Sequence, residues 1–218
     1  MDIFLIKLHV LWTNIQLSII LLAMVYLFFI KRDHISHDIK SNKLTYVLLM
    51  LMVIFRMWLC LTNLPDAFYV QPKQAEYENT AKDILASSYS KDFMDGHDPR
   101  IYPIILSDFI RIAGNKILSQ KGIILNSMFS VLALIFIFAF VRKLFGNLKM
   151  ALIAAVLLNF WPLFIQRSVD GSVFPVSVFF CILSLTLILF SLRENSVLMY
   201  IIAGLSMGLA SQIYYREF

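Results

Sequence analysis

LPDAFYVQPKQAEYENTAKDILASSYSKDFMDGHDPRIYPIILSDFIRIAG, residues 64–114, is the long polar stretch of a chain that is otherwise nearly all apolar. It holds eight of the fourteen acidic residues. Apolar runs flank it, residues 44–62 before it and 122–141 after it, each long enough to cross a bilayer. The stretch therefore reads as a large loop between two membrane spans. Loop side chains at a membrane surface are where this chain's chemistry is expected to sit.

The rest of the composition agrees. Of 218 residues, 60% are hydrophobic and 15% charged, against about 25% charged in a typical soluble domain. A water-soluble core cannot absorb that much apolar surface, whereas lipid solvates the outside of a helical membrane bundle. Nineteen Phe with only seven Gly and six Pro fit neither a barrel nor a collagen-like pattern. The net charge of +5 sits in short clusters at the ends of apolar runs. That is topological charge, and no nucleic-acid partner is expected. Cys60 and Cys181 both fall inside apolar runs and read as small core residues, without a disulfide or a metal pair.

Outward from the loop, six spans follow from the hydropathy: residues 8–30, 44–62, 122–141, 150–165, 172–192 and 196–215. The first is too long for the apolar part of a signal peptide and lacks a small-residue cleavage site after it. Four basic residues, Lys31, Arg32, Lys40 and Lys43, follow it, which assigns that connection to the cytoplasm. Arg142, Lys143 and Lys149 mark a second cytoplasmic turn. Both clusters give one topology, with the loop of residues 63–121 outside. The expected organisation is an extra N-terminal span and cytoplasmic loop over residues 1–43, then a transmembrane module over 44–218. The fold class is all-α, polytopic, with about six transmembrane helices and two amphipathic surface helices in the external loop. The chain is expected to be integral to a membrane, with lipids as the immediate partners.

Inside the loop, Tyr77, Ala81, Ile84 and Leu85 fall on one stripe of a helix over residues 72–88. Pro72 suits its first turn, and Glu78 can pair with Lys82. A second helix over residues 102–113 sets Ile104, Ile105, Phe109 and Ile112 against Asp108 and Arg111. Both are too short and polar to span, so they are expected to lie on the outer membrane surface.

The order of these pieces carries a resemblance. A span is followed by an external helix Tyr77-Glu78-Asn79-Thr80-Ala81-Lys82-Asp83-Ile84-Leu85, then by the pair Tyr102-Pro103 opening an amphipathic stretch. Next come a span closing on the Val-Arg-Lys-Leu-Phe-Gly of residues 141–146 and a short span with Pro162 near its outer end. Over residues 44–218 this resembles the N-terminal half of the GT-C glycosyltransferases, and among them the bacterial members related to protein mannosyltransferases and aminoarabinose transferases. The resemblance implies a polyprenyl-phosphate sugar as donor, an acidic residue of the first external loop acting on the acceptor, and basic residues holding the phosphate leaving group. Members of that group are typically much longer, so this chain is expected to be an N-terminal portion, with further spans or a second polypeptide completing the bundle.

The candidate residues follow. The family usually carries acids three or four residues before the tyrosine matched by Tyr77, where this chain has Lys73 and Gln74. The nearest acids are Asp66, at the outer mouth of the second span, and Glu76, beside the apolar stripe; these are the catalytic candidates. Arg56, Arg167 and Arg216 all fall near outer ends of spans, against the usual inside bias of basic residues. They form a phosphate-binding cluster, or else each snorkels separately to lipid headgroups. Tyr77, Tyr102 and Asp170 are candidates for the substrate cavity. Asp95, His97 and Asp98 flank Gly96 in a turn rich in hard-cation ligands, either a site for Mg or Mn or a solvated acidic turn. The alternative to a transferase is a catalytically degenerate or truncated membrane protein acting as a scaffold or transporter component. A transporter proper would show mid-membrane charge pairs and repeated broken helices, which the sequence lacks.

Overall fold

A computed structural model describes residues 10–22, 42–62, 72–86, 101–113, 121–169 and 172–214. Every element among them is helical: α1 Val10–Leu22, α2 Lys43–Thr62, α3 Pro72–Leu85, α4 Ile101–Ala113, α5 Lys121–Phe145, α6 Leu148–Phe160, α7 Pro162–Val169, α8 Phe174–Glu194 and α9 Val197–Tyr214. Three of them, α2, α5 and α8, are long and apolar enough to cross a membrane. The bent pair α6 and α7 makes a fourth, and α1 and α9 are shorter apolar helices. The protein is thus an all-α membrane protein.

Local chemistry sets the helix ends. Arg142 and Lys143 close the last turn of α5, and Gly146 follows with φ of 67°. Its N–H donates to the Arg142 carbonyl at 2.8 Å, the usual left-handed stop after a helix. Asn147 then caps α6, its side chain accepting from the N–H groups of Lys149 at 2.9 Å and Met150 at 3.4 Å. A second tight hairpin joins α8 to α9 through Asn195, which sits at φ 49°, ψ 38°. The short polar side chain of Asn tolerates that region better than most residues. Arg193 donates to the Lys143 carbonyl at 2.6 Å, so both hairpin turns and their basic residues share one end of the bundle.

The centre of the bundle is α8, which packs on α5, α7 and α9. Phe179 and Phe180 lie in a cluster with Phe129, ring centroids 5.1 and 5.8 Å away, and Phe136 meets Phe179 edge-on at 5.6 Å. Against α9 the contact is close and partly polar. Ser177 donates to the Ala210 carbonyl at 3.0 Å, Ser184 to Ala203 at 2.8 Å, and Ser191 to Ser196 at 2.9 Å. Serines seven residues apart return to the same helix face, and small side chains let the backbones approach. Both cysteines are free, Cys60 buried on α2 and Cys181 half-buried on α8.

Three expectations change. The span expected at 150–165 is two helices, α6 and α7, bent by 56° at Trp161. Pro162 has no N–H and pushes the preceding residue out of helical geometry, and Trp161 sits at φ −66°, ψ 113°. Neither loop helix lies flat and alone on a surface. They pack on each other, and α4 also packs on α5 and α9, burying Ile101 through Ser107 and Ile110. The exposed large apolar positions on these two helices are Ile112 at 86% and Leu85 at 40%. The α3 stripe of Tyr77, Ala81 and Ile84 is buried as expected, whereas on α4 the buried face takes in Ile110 and leaves out Ile112, because α4 is covered from several directions. Only residues 10–22 of the first expected span fall among those described.

Candidate functional site

Arg56 lies in the second half of α2, in an apolar stretch, and is 1% exposed. It does not snorkel. Its Nε donates to Ser130 Oγ on α5 at 3.4 Å and its Nη1 to the Asn159 carbonyl at the end of α6 at 3.3 Å. Its Nη2 donates to the Phe164 carbonyl and to Ser168 Oγ, both on α7, at 3.0 and 2.8 Å. The guanidinium carbon stands 4.6 Å from the centre of the Phe164 ring. One side chain thus ties four helices together.

The serines are oriented for this role. Ser130 gives its own proton to the Ser127 carbonyl at 2.8 Å, and Ser168 to the Phe164 carbonyl at 2.6 Å. Each hydroxyl is left with lone pairs facing the arginine. Asn159 belongs to the last turn of α6, where carbonyls have no partner within the helix. The proline break so creates an acceptor that Arg56 satisfies. A charged residue at the centre of a span costs about 2.5–3.5 kcal/mol to insert. Hydrogen bonds to a charged group contribute about 1.5–3 kcal/mol each, enough to offset it. The Asn159 side chain, 1% exposed, has neither its amide nitrogen nor its oxygen hydrogen-bonded.

A second polar chain joins the loop helices to the bundle. Tyr102, the second residue of α4, is fully buried, with its ring edge-on to Tyr77 of α3 at 5.2 Å. Its hydroxyl donates to Asn126 Oδ1 on α5 at 3.1 Å, with the Gly122 carbonyl at 3.4 Å. Asn126 in turn donates through Nδ2 to the Ser172 carbonyl at 2.7 Å, just before α8. Ser172 Oγ accepts the Phe174 N–H at 3.1 Å, at the entry to that helix. Burial holds the Tyr102 phenol well above its ordinary pKa, partly opposed by the bond to Asn126, so it remains a neutral donor. On the same α4, burial pushes the half-buried Asp108 carboxyl up, and Arg111 opposes that shift.

Of the residues singled out in the sequence, Tyr77 and Tyr102 are brought together as a buried pair. Arg167 is exposed on the last turn of α7, one residue before the Ser168 that Arg56 grips. Glu76 is exposed on α3. Asp66, Asp95, His97, Asp98, Asp170 and Arg216 lie outside the described residues. Among the described residues no group of three His, Cys, Asp or Glu could hold a metal ion. Beside the α6–α7 break, an open groove of about 660 Å³ is lined by Ile137, Leu158, Phe160, Trp161, Pro162 and Ile182, among other apolar residues. Sequence reasoning missed Asn126, Asn159 and Ser168. For Asn126 and Asn159 there was a signal, a lone amide side chain inside an apolar run.

The described residues form an all-helical membrane bundle with a packed helix pair, α3 and α4, and a proline-broken span. A family model narrows the class. The model of the dolichyl-phosphate-mannose-protein mannosyltransferases matches residues 97–218, more than half of the chain and all of α4 to α9, and the chain belongs to that family of membrane glycosyltransferases. No curated protein and no solved structure matches it.

Proposed function

We propose that the protein transfers a sugar from a polyprenyl-phosphate carrier to an acceptor hydroxyl on the extracytoplasmic side of the membrane. The family match over residues 97–218 carries this reading. In it, a carboxylate of Asp66 or Glu76 takes the acceptor's proton as its oxygen attacks the anomeric carbon. The bond from that carbon to the phosphate oxygen breaks, and the carrier phosphate leaves with the electron pair. Arg167 and Arg216 stabilise the departing phosphate in a water-poor site. Arg56 contributes its positive charge from below; among the described residues no carboxylate is bonded to it. The apolar groove beside the α6–α7 break suits the isoprenoid tail.

The test is transfer of radiolabelled hexose or pentose from synthetic polyprenyl-phosphate sugars to native membranes, using the protein with whatever chain follows Phe218 in the gene. Label moving to a non-lipid acceptor, and its loss in the Asp66→Asn, Glu76→Gln double variant, supports the proposal. An inserted protein that moves no label from any donor overturns it. The second reading, a non-catalytic membrane scaffold, is favoured by Lys73 and Gln74 standing where the family carries acids, and that outcome would establish it.

A further inference from the structure

We infer that Arg56 is a positioning residue of the donor site: its guanidinium holds the broken helix pair open and sets where α7 lies. The inference rests on the transferase reading for its functional consequence, though not for its geometry. Three observations carry it. First, Pro162 ends α6 and starts a helix bent by 56°, which leaves the Asn159 carbonyl to be met from outside α6. Second, Arg56 answers that break from another helix, with one bond to the Asn159 carbonyl and two to Phe164 and Ser168 on α7. Third, Asn159 keeps both amide atoms unbonded at 1% exposure. A straight helix has no need for such a cluster, and an apolar site costs less than an unsatisfied amide. The cluster is therefore retained for what it orients.

What it orients is α7. This helix of eight residues spans the distance between the groove at Trp161 and Pro162 and the exposed Arg167. Two hydrogen bonds from Nη2 hold α7, while Nη1 and Nε of the same rigid plane are held to α6 and α5, so the guanidinium sets α7 relative to both. With Arg167 on the leaving phosphate and the isoprenoid tail in the groove, the angle of α7 sets the separation between headgroup and tail sites. A charge alone does not do this. A lysine at this place carries the same charge but presents its donors from one point, so it does not hold α5, α6 and α7 in one plane as Nε, Nη1 and Nη2 do.

The experiment has two readouts. Spin labels at Gln166 on α7 and Leu192 on α8, in a background with Cys60 and Cys181 replaced by Ala, report the position of α7 without any ligand. Steady-state transfer from a polyprenyl-phosphate sugar reports donor and acceptor KM separately. Arg56→Met should broaden or shift the label distance and raise donor KM about tenfold or more, with acceptor KM unchanged, since small misplacements of a substrate-holding group cost up to about a hundredfold. Arg56→Lys should behave like Met. If Arg56→Met fails to insert, the Ser130→Ala, Ser168→Ala double variant removes two acceptors, keeps the charge, and should move α7 in the same direction. An unchanged label distance in these variants overturns the inference, as does a lower kcat at unchanged donor KM, the mark of mere instability. Full rescue by lysine also overturns it and makes charge the determinant. Wild-type protein that transfers no sugar sinks the transferase reading instead, and the label distances still decide whether Arg56 places α7.

Discussion

Replacing Tyr102 by Phe removes one hydroxyl and leaves the ring contact with Tyr77 in place. The residue is fully buried and so is Asn126, so no solvent can take the place of the lost donor. The Tyr102 bond to Asn126 Oδ1, at 3.1 Å, is the better of its two contacts, the Gly122 carbonyl lying at 3.4 Å. A hydrogen bond alone contributes about 0.5–1.5 kcal/mol, but stranding a buried acceptor raises the cost to about 1–3 kcal/mol. Tyr102→Phe should destabilise the protein by that larger amount. Asn126→Leu should cost at least as much, because it also strands the Ser172 carbonyl, whose donor sits at 2.7 Å. Once Asn126 is gone the tyrosine has only its weaker contact to lose, so the double variant should cost about 1 kcal/mol less than the sum. Detergent-unfolding titrations of the protein in mixed micelles, read by tryptophan fluorescence, measure all three. A Tyr102→Phe variant within about 0.3 kcal/mol of wild type, or strict additivity, would refute the reasoning. The phenol also leaves a pH signature. Its native pKa is raised, so its stabilising contribution is complete below the ordinary phenol value of about 10 and falls as pH climbs past it, when only the unfolded chain ionises. Tyr102→Phe should abolish that fall.

The same titrations check three further variants. Gly146→Ala should cost about 1 kcal/mol from its left-handed backbone alone, since the new methyl group would meet nothing within 4 Å. Ser184→Ala, at the middle rung of the serine ladder, should cost about 0.6 kcal/mol, the average for interhelical bonds in membranes, and a cost above about 2 kcal/mol would mean the ladder acts as a unit. Asp108→Asn should stabilise the protein increasingly as pH rises from acid to neutral. The raised native pKa means that the aspartate's contribution is present below the ordinary carboxylate range and lost as pH rises through the native value, while asparagine stays neutral. A pH-independent difference between the two proteins would refute that.

Much of the fold was legible because membrane burial writes itself into hydropathy. The apolar runs and the basic residues that close α5 follow from the cost of bare backbone or charge in lipid. The loop helices were legible as helices, and so was the buried face of α3, but the face of α4 was legible only in part. Periodicity gives one apolar stripe, whereas α4 is covered by α3, α5 and α9 together, so Ile110 is buried and Ile112 exposed. The break at Trp161 was half legible. Pro162 was visible as a mark near the end of a short span, but whether a proline bends a span or merely caps it depends on what receives the stranded carbonyls. That receiver is Arg56, more than a hundred residues earlier. No local pattern carries such a pairing.

Arg56 also shows how the position of a charge along a span misleads when read alone. Four residues from a membrane edge, an arginine stem is long enough to reach the headgroups, and snorkelling is the simplest outcome. The neighbouring helix changes the balance. A break in an apolar bundle leaves carbonyls that must be met from inside the protein, and a planar group with five N–H donors meets several at once. Four hydrogen bonds to protein acceptors leave Arg56 one N–H on Nη1. Any direct contact with a donor phosphate is therefore limited to a single bond, well short of the two-pronged grip for which arginine is suited. On the transferase reading, gripping the phosphate falls to an exposed arginine such as Arg167, and Arg56 acts on it through the angle of α7.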